Sequence, residues 1–188
     1  MEKDKTLLLT NKQIEQKLNR LAFQIFEDNS DAKEIVLAGI VKSGYEVAEK
    51  IAAILKTIAP FKIILTEVKF VKHGKLDQKI EINLSKEELN DKIVILVDDV
   101  MNSGKTMLNA MKPFLDAEIK KLRTVVLVDR NHKRYPVSSD FVGLSLATTL
   151  QEHVSVEIEA KKIEALFLCE ESTRCAKSFE KLNQGCNQ

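Results

Sequence analysis

Residues Ile93 to Thr106 read I-V-I-L-V-D-D-V-M-N-S-G-K-T, and this stretch narrows the possible fold more than any other in the chain. Ile93 to Val97 are apolar and mostly β-branched, a run suited to a strand buried on both faces of a parallel sheet. The strand ends in two acids, Asp98 and Asp99. Val100, Met101 and Asn102 then lead into Ser103-Gly104-Lys105-Thr106, after which Met107, Ala110, Met111 and Phe114 recur at helical spacing. The unit is therefore strand, acidic pair, small polar turn and helix. Backbone N–H groups at the start of that helix, together with the positive end of its dipole, favour a phosphate. Two carboxylates beside the turn would repel that phosphate, so sugar hydroxyls or a divalent cation are their natural partners. A phosphorylated sugar satisfies both halves of the motif. Two acids that merely cap the following helix would leave the same pattern.

Gly104-Lys105-Thr106 looks like the end of a P-loop, but that loop needs a glycine five residues before Gly104, and Asp99 stands there. The P-loop reading fails on spacing.

The chain of 188 residues has the size of one α/β domain. A net charge of +1 gives no global attraction to nucleic acid or anionic membrane, so any RNA binding has to come from a local basic face. The charged start and the lack of a long apolar run imply a cytoplasmic protein with no membrane partner. Cys169, Cys175 and Cys186 show neither Cys-x-x-Cys spacing nor a neighbouring histidine, which disfavours a zinc site or a disulfide framework.

Taken in order, Thr10 to Asp28 predicts an amphipathic helix opened by a Thr10-x-x-Gln13 capping box. Glu34 to Ile40 predicts a second buried strand. It is followed by Lys42-Ser43-Gly44 and a helix that Ser43-x-x-Glu46 would cap. This turn is either a second anion site with Lys42 beside it or a plain connection. Phe61 to Phe70 predicts a strand, and Val71 to Lys79, with Lys72, His73 and Lys75, reads as a mobile lid or an exposed hairpin before Ile80 to Leu84. Ser85 to Asp91 suits one helical turn, and Pro113 should kink or end its helix near Lys112. Arg123 to Asp129 predicts a buried strand that leads into the basic segment Arg130 to Pro136, at the sheet edge where ligands gather. Short strands are expected at Phe141 to Leu146, Val154 to Ile158 and Ile163 to Leu168. Cys169 to Gln188 reads as a polar tail after a single domain covering 1–168. The elements add up to an α/β fold: a mostly parallel central sheet, helices on both faces, and Ile93 to Val97 near its centre.

Val97-Asp98-Asp99-Val100 with Ser103-Gly104-Lys105-Thr106 resembles the 5-phosphoribosyl 1-pyrophosphate (PRPP) signature of type I phosphoribosyltransferases. Leu37-Ala38-Gly39-Ile40, Tyr45-x-x-Ala48, Val126-Leu127-Val128-Asp129-Arg130-x-His132-x-x-x-Pro136, Asp140-Phe141-Val142-Gly143 and Glu152-x-Val154-x-Val156 follow in the order of one branch. That branch is the pyrimidine operon attenuator proteins, which double as uracil phosphoribosyltransferases. The resemblance spans Thr6 to Leu168. It implies a small hood over the sheet, a homodimer or higher assembly, and Mg²⁺ held on the substrate with Asp98 as a protein ligand. It further implies that Asp98 and Asp99 grip the ribose hydroxyls, and that Met101, Asn102, Ser103, Gly104, Lys105 and Thr106 wrap the 5′-phosphate. Lys42, Ser43 and Gly44 would form the pyrophosphate loop, with Lys42 catalytic, while Lys72, His73 and Lys75 belong to the lid. Arg130, Phe141, Val142, His153 and Val154 would border the base. Where the branch carries Thr-Arg-Gly, this chain has Lys42-Ser43-Gly44, which replaces a guanidinium fork by a point charge. Leu144 likewise stands where the branch has a basic residue.

The resemblance implies transfer of a phosphoribosyl group to a nucleobase, first of all uracil. Purine phosphoribosyltransferases also resemble the Asp140 to Gly143 segment, but they place an acid three residues after the acidic pair. Asn102 stands there instead and has no basic carboxylate. An RNA-binding attenuation regulator that senses nucleotides is a different reading, with Lys12, Lys17, Arg20, Lys120, Lys121 and Arg123 as its basic face. A solvated helix face accounts for the same residues. A catalytically silent assembly protein is the third.

Overall fold

The structure, a computed structural model, describes residues 6–73, 77–147, 152–159 and 162–170, and side chains outside 6, 72–78, 152–153 and 157–170. Its centre is strand β5 (Ile93–Met101). Ile93, Ile95 and Val97 face one hydrophobic core and Val94 and Leu96 the other, the period-2 alternation of a strand with both faces covered. Burying each of these side chains contributes about 1.5–3 kcal/mol.

The elements follow in the order β1 (Thr6–Thr10), α1 (Asn11–Asp28), β2 (Glu34–Ile40), α2 (Ser43–Ile58), β3 (Lys62–His73), β4 (Asp77–Ile82) and α3 (Lys86–Leu89). After β5 come α4 (Lys105–Leu115), β6 (Lys121–Asp129), β7 (Phe141–Ser145), β8 (Glu152–Glu159) and β9 (Lys162–Glu170). The main sheet runs β4-β3-β2-β5-β6-β7, parallel except for the antiparallel β3–β4 pair. Strand β5 is thus interior, as expected. Ile14, Leu18, Leu21 and Ile25 of α1 join Val47, Ile51 and Leu55 of α2 over one face, and Met107, Ala110 and Phe114 of α4 cover the other.

A second sheet, β1-β9-β8, is antiparallel throughout. Val154 of β8 is buried in the core beneath α1 and α2, and β8 also reaches β5, so this sheet sits as a hood on the larger one. Strand β1 is absent from the sequence reading, and β9 runs through Cys169 and Glu170, past the expected start of the tail. The remaining cysteines, Cys175 and Cys186, lie outside the described residues.

Local signals hold with two exceptions. The Thr10–Gln13 box closes, with the Gln13 N–H donating to Thr10 Oγ1 at 3.4 Å and the Thr10 N–H to Gln13 Oε1 at 2.8 Å. Ser85 and Glu88 form a second box on the single turn α3. The Ser43–Glu46 box does not form. Helix α2 already begins at Ser43, so Lys42 takes the cap position with φ 60° and ψ −101°, and no side chain caps it. Pro113 does not stop α4, which runs on to Leu115, because the missing N–H falls in the last turn and removes only one bond. On either side of residues 74–76 the described strands pair antiparallel, with His73 opposite Asp77. Lys75 and the side chains of Lys72 and His73 lie outside the description.

Candidate active site

The C-terminal ends of β2 and β5 deliver two loops to one place, since Gly39 pairs with Val97, the last residue pair at which the two neighbouring strands run side by side. Such an edge, where parallel strands feed helix N-termini, is where open α/β sheets bind ligands. Asp98 is 8% exposed and accepts a hydrogen bond from the Asp99 N–H on Oδ1 at 3.0 Å. Burial, and then the neighbouring Asp99 carboxylate, push the Asp98 carboxyl well above the usual carboxylate range. An acid this costly to ionise in the free protein suits a ligand that brings hydroxyl donors or positive charge to it.

Past the acids the chain turns on Gly104, whose φ of 82° lies in the left-handed region that glycine occupies without strain. The first intrahelical bond of α4 runs from the Leu108 N–H to the Gly104 carbonyl at 2.9 Å, so the N–H groups before Leu108 precede the helical ladder. The Lys105 N–H reaches Ser103 Oγ at 3.4 Å. Asp98, Val100, Met101, Asn102, Ser103, Gly104, Thr106 and Met107 line one cavity of about 160 Å³. The acid and most of the expected phosphate wrap therefore surround a single space. Asp99 and Lys105 flank it rather than line it.

The second loop docks directly on the acids. Gly44, in the first turn of α2, lies so close to β5 that an added Cβ would stand 2.9 Å from the Val97 carbonyl oxygen and 3.2 Å from Asp98 Oδ1. Lys42 precedes it, exposed and in a backbone conformation that costs a non-glycine residue about 1–3 kcal/mol. Strain of this kind persists where surrounding structure imposes it, here the tight seating of Gly44.

On the expected base side the residues divide. Arg130 follows β6 at the right edge, 4% exposed, and its N–H donates to the Met101 carbonyl at 3.0 Å. Phe141 and Val142 stand, through β6, level with Val97 and Asp98, and their partly buried side chains pack against the two cores, while Ser145 is the residue level with Asp129. Just before them, Asp140 accepts from the Thr124 N–H and hydroxyl at 2.8 Å each and pairs with Arg123 at 3.1 Å, a structural clasp at the opposite edge. Val154 is 3% exposed within the core, and the His153 side chain lies outside the description.

Sequence reasoning missed Asp129, 5% exposed at the end of β6. Its Oδ1 accepts from the Asn131 N–H at 2.8 Å, and its Oδ2 lies 3.4 Å from Lys133 Nζ. The short Asp-x-Asn pattern at a strand end is the signal that marks such a turn.

Among the described residues no three His, Cys, Asp or Glu side chains gather into a metal cage. The acid pair does offer the hard oxygen donors that Mg²⁺ accepts when substrate oxygens complete its shell, so the residues present fit a substrate-borne Mg²⁺.

Residues 5–161 match the family model described as the phosphoribosyl transferase domain. The chain belongs to the phosphoribosyltransferase family. Members of this glycosyltransferase class of enzymes act with PRPP and a nucleobase. This phosphoribosyltransferase is 34% identical to the Bifunctional protein PyrR of Clostridium kluyveri over 160 residues, covering 82% of this chain and 90% of that protein. The PyrR of Clostridium acetobutylicum is 32% identical over 162 residues, covering 82% and 91%. Among solved structures, the hypoxanthine phosphoribosyltransferase of Trypanosoma cruzi superposes with a TM-score of 0.75 at 14% identity, covering 98% of this chain and 93% of that one. A hypoxanthine-guanine phosphoribosyltransferase of Bacillus anthracis gives 0.65 at 20% identity, covering 90% and 99%. At these identities the structural likeness speaks for the fold alone.

Proposed function

We propose that this phosphoribosyltransferase transfers the phosphoribosyl group of PRPP to uracil, giving uridine monophosphate and pyrophosphate. The observation that carries the reading is the single cavity shared by buried Asp98 and the Asn102–Thr106 turn. The bond from the anomeric carbon to pyrophosphate breaks, a bond to the base nitrogen forms, and the proton of that nitrogen leaves. The intermediate charge is oxocarbenium-like, so the site has to fix the sugar, screen the leaving group and keep water away. Asp98 and Asp99 accept hydrogen bonds from the ribose hydroxyls beside the developing positive charge. The N–H groups and hydroxyls of Met101 to Thr106 hold the 5′-phosphate, and Lys42, Ser43 and Gly44 receive the pyrophosphate. Arg130 stands on the base side. The carboxylates of Asp98 and Asp99 would hold Mg²⁺, which when bound would supply charge neutralisation on the pyrophosphate.

Uracil is preferred over a purine because Asn102, exposed at the cavity, has no carboxylate to take a proton from a purine ring nitrogen. The proposal includes a cytoplasmic homodimer. Among the described residues no helix is long and apolar enough to cross a membrane. An assay of PRPP consumption with uracil, hypoxanthine and xanthine tests the choice of base. Faster turnover with either purine overturns it.

The word "bifunctional" in the relatives' name favours a second reading, a nucleotide-sensing RNA regulator. The basic face expected for it is half spent internally. Arg20 donates to the Val142 and Gly143 carbonyls, and Lys121 and Arg123 pair with Asp28, which leaves Lys12, Lys17 and Lys120. Binding to structured RNA that weakens steeply with salt supports this role, and salt-independent or absent binding removes it.

A further inference from the structure

Residues 130–137 form a strap laid across the outer side of the phosphate turn. The Arg134 and Tyr135 N–H groups both donate to the Ser103 carbonyl, at 3.0 and 3.1 Å, and the Arg130 N–H donates to the Met101 carbonyl at 3.0 Å. Gly104, the left-handed residue of the turn, lies against the strap as well, its Cβ position 3.6 Å from the Tyr135 carbonyl oxygen and 3.7 Å from Val137 Cβ. Val137 is 8% exposed and belongs to the core under α4, which anchors the far end. The carbonyls of alternate residues, Met101 and Ser103, are thus engaged away from the cavity that the same residues line.

The strap has to double back from β6 to reach the turn, and the reversal occurs at Asn131, whose φ of 56° is left-handed. The buried Asp129 carboxylate holds that reversal through the Asn131 N–H at 2.8 Å and the Lys133 ammonium at 3.4 Å. An aspartate accepting from the backbone two residues on is a strong local turn former. A hydrogen bond to a buried charged acceptor is also among the more stabilising kind.

We propose that Asp129 is a positioning residue for the 5′-phosphate turn, acting through the strap and touching neither substrate nor reacting atoms. The inference rests on the PRPP reading above. Its logic is geometric: a phosphate cradle of backbone N–H groups works only if the turn is fixed before the ligand arrives, and a displacement near 1 Å costs up to about a hundredfold. Asp129 supplies that fixation from outside the cavity.

The test is calorimetric titration of PRPP with Mg²⁺ into the full chain, alongside thermal unfolding, for wild type, Asp129→Ala, Asp129→Asn and Asn131→Val. Asp129→Ala removes the acceptor, while Asn131→Val sets a β-branched side chain at a left-handed position on the exposed strap, where global folding is least at risk. Both should bind PRPP on the order of tenfold to a hundredfold more weakly while still unfolding cooperatively. Asp129→Asn keeps an oxygen for the Asn131 N–H and gives up its charge opposite the partly exposed Lys133, so it should recover most of the affinity. If Asp129→Ala does not fold, Asn131→Val decides alone. Variants that melt earlier yet bind PRPP like wild type overturn the positioning role and leave the PRPP reading standing, as does an Asp129→Asn variant no better than Asp129→Ala. A wild-type chain that binds no PRPP overturns both.

Discussion

Gly44 and Asp98 touch across the two loops of the site: a Cβ at residue 44 would meet the Asp98 Cα at 3.0 Å and its Oδ1 at 3.2 Å. The loop of Lys42 to Gly44 and the acid pair are thereby seated on one another. Gly44→Ala should push Asp98 off its position and lower kcat/KM for PRPP by on the order of tenfold to a hundredfold, with a smaller loss of stability. Turnover at the wild-type rate would mean that the contact is incidental.

The buried Asp98 carboxyl makes stability depend on pH in a definite direction. Its folded pKa lies above its unfolded value, so the folded state binds the extra proton. Stability contributed this way is present below the ordinary carboxylate value of 3.8 and declines as pH rises from there towards the raised folded value. Asp98→Asn removes the titration. The variant should therefore melt above wild type at neutral pH, with the gap closing as pH falls to about 4. Melting curves across that range check the sign, and a gap that widens on acidification contradicts it.

Gly104→Val tests the turn. A β-branched side chain at a φ of 82° should cost at least about 1–2 kcal/mol of stability and abolish ribose 5-phosphate binding, measured by calorimetry. Retained binding would count against the cradle.

Asp140 provides the contrast, because its bonds to Thr124 and Arg123 lie at the edge away from the cavity. Asp140→Ala should cost about 1.5–3 kcal/mol in denaturant unfolding while leaving kcat/KM for the folded enzyme unchanged. A loss of activity without loss of stability would restore the base-side role expected for its segment.

The parts legible in the sequence were those whose causes are local. The alternation of Ile93 to Val97, the Thr10 capping box and the order of acids, glycine and helix each need only neighbours in the chain. What escaped depends on distant partners. Strand β1 exists because Thr6 meets Leu168 on β9, a pairing that a five-residue segment does not announce. Ser43 resembles a cap by spacing, but the seating of Gly44 against Asp98 starts the helix one residue sooner than a Ser43 cap allows. Phe141 and Val142 follow a family-like motif, and their packing against the two cores through β6 depends on a register that the motif alone does not give. Asp129 looked like the end of a strand, because its importance lies in what the following strap does to residues 101–104.

The proposed transfer requires Asp98 and Asp99 to grip the sugar rather than cap α4. The most direct measurement is PRPP turnover and thermal unfolding of the Asp98→Asn, Asp99→Asn double variant on one preparation. Charge-assisted bonds worth roughly 1.5–3 kcal/mol each are lost, so kcat/KM should fall on the order of a hundredfold or more while the melting temperature holds or rises. A variant that melts lower and turns over normally would contradict it.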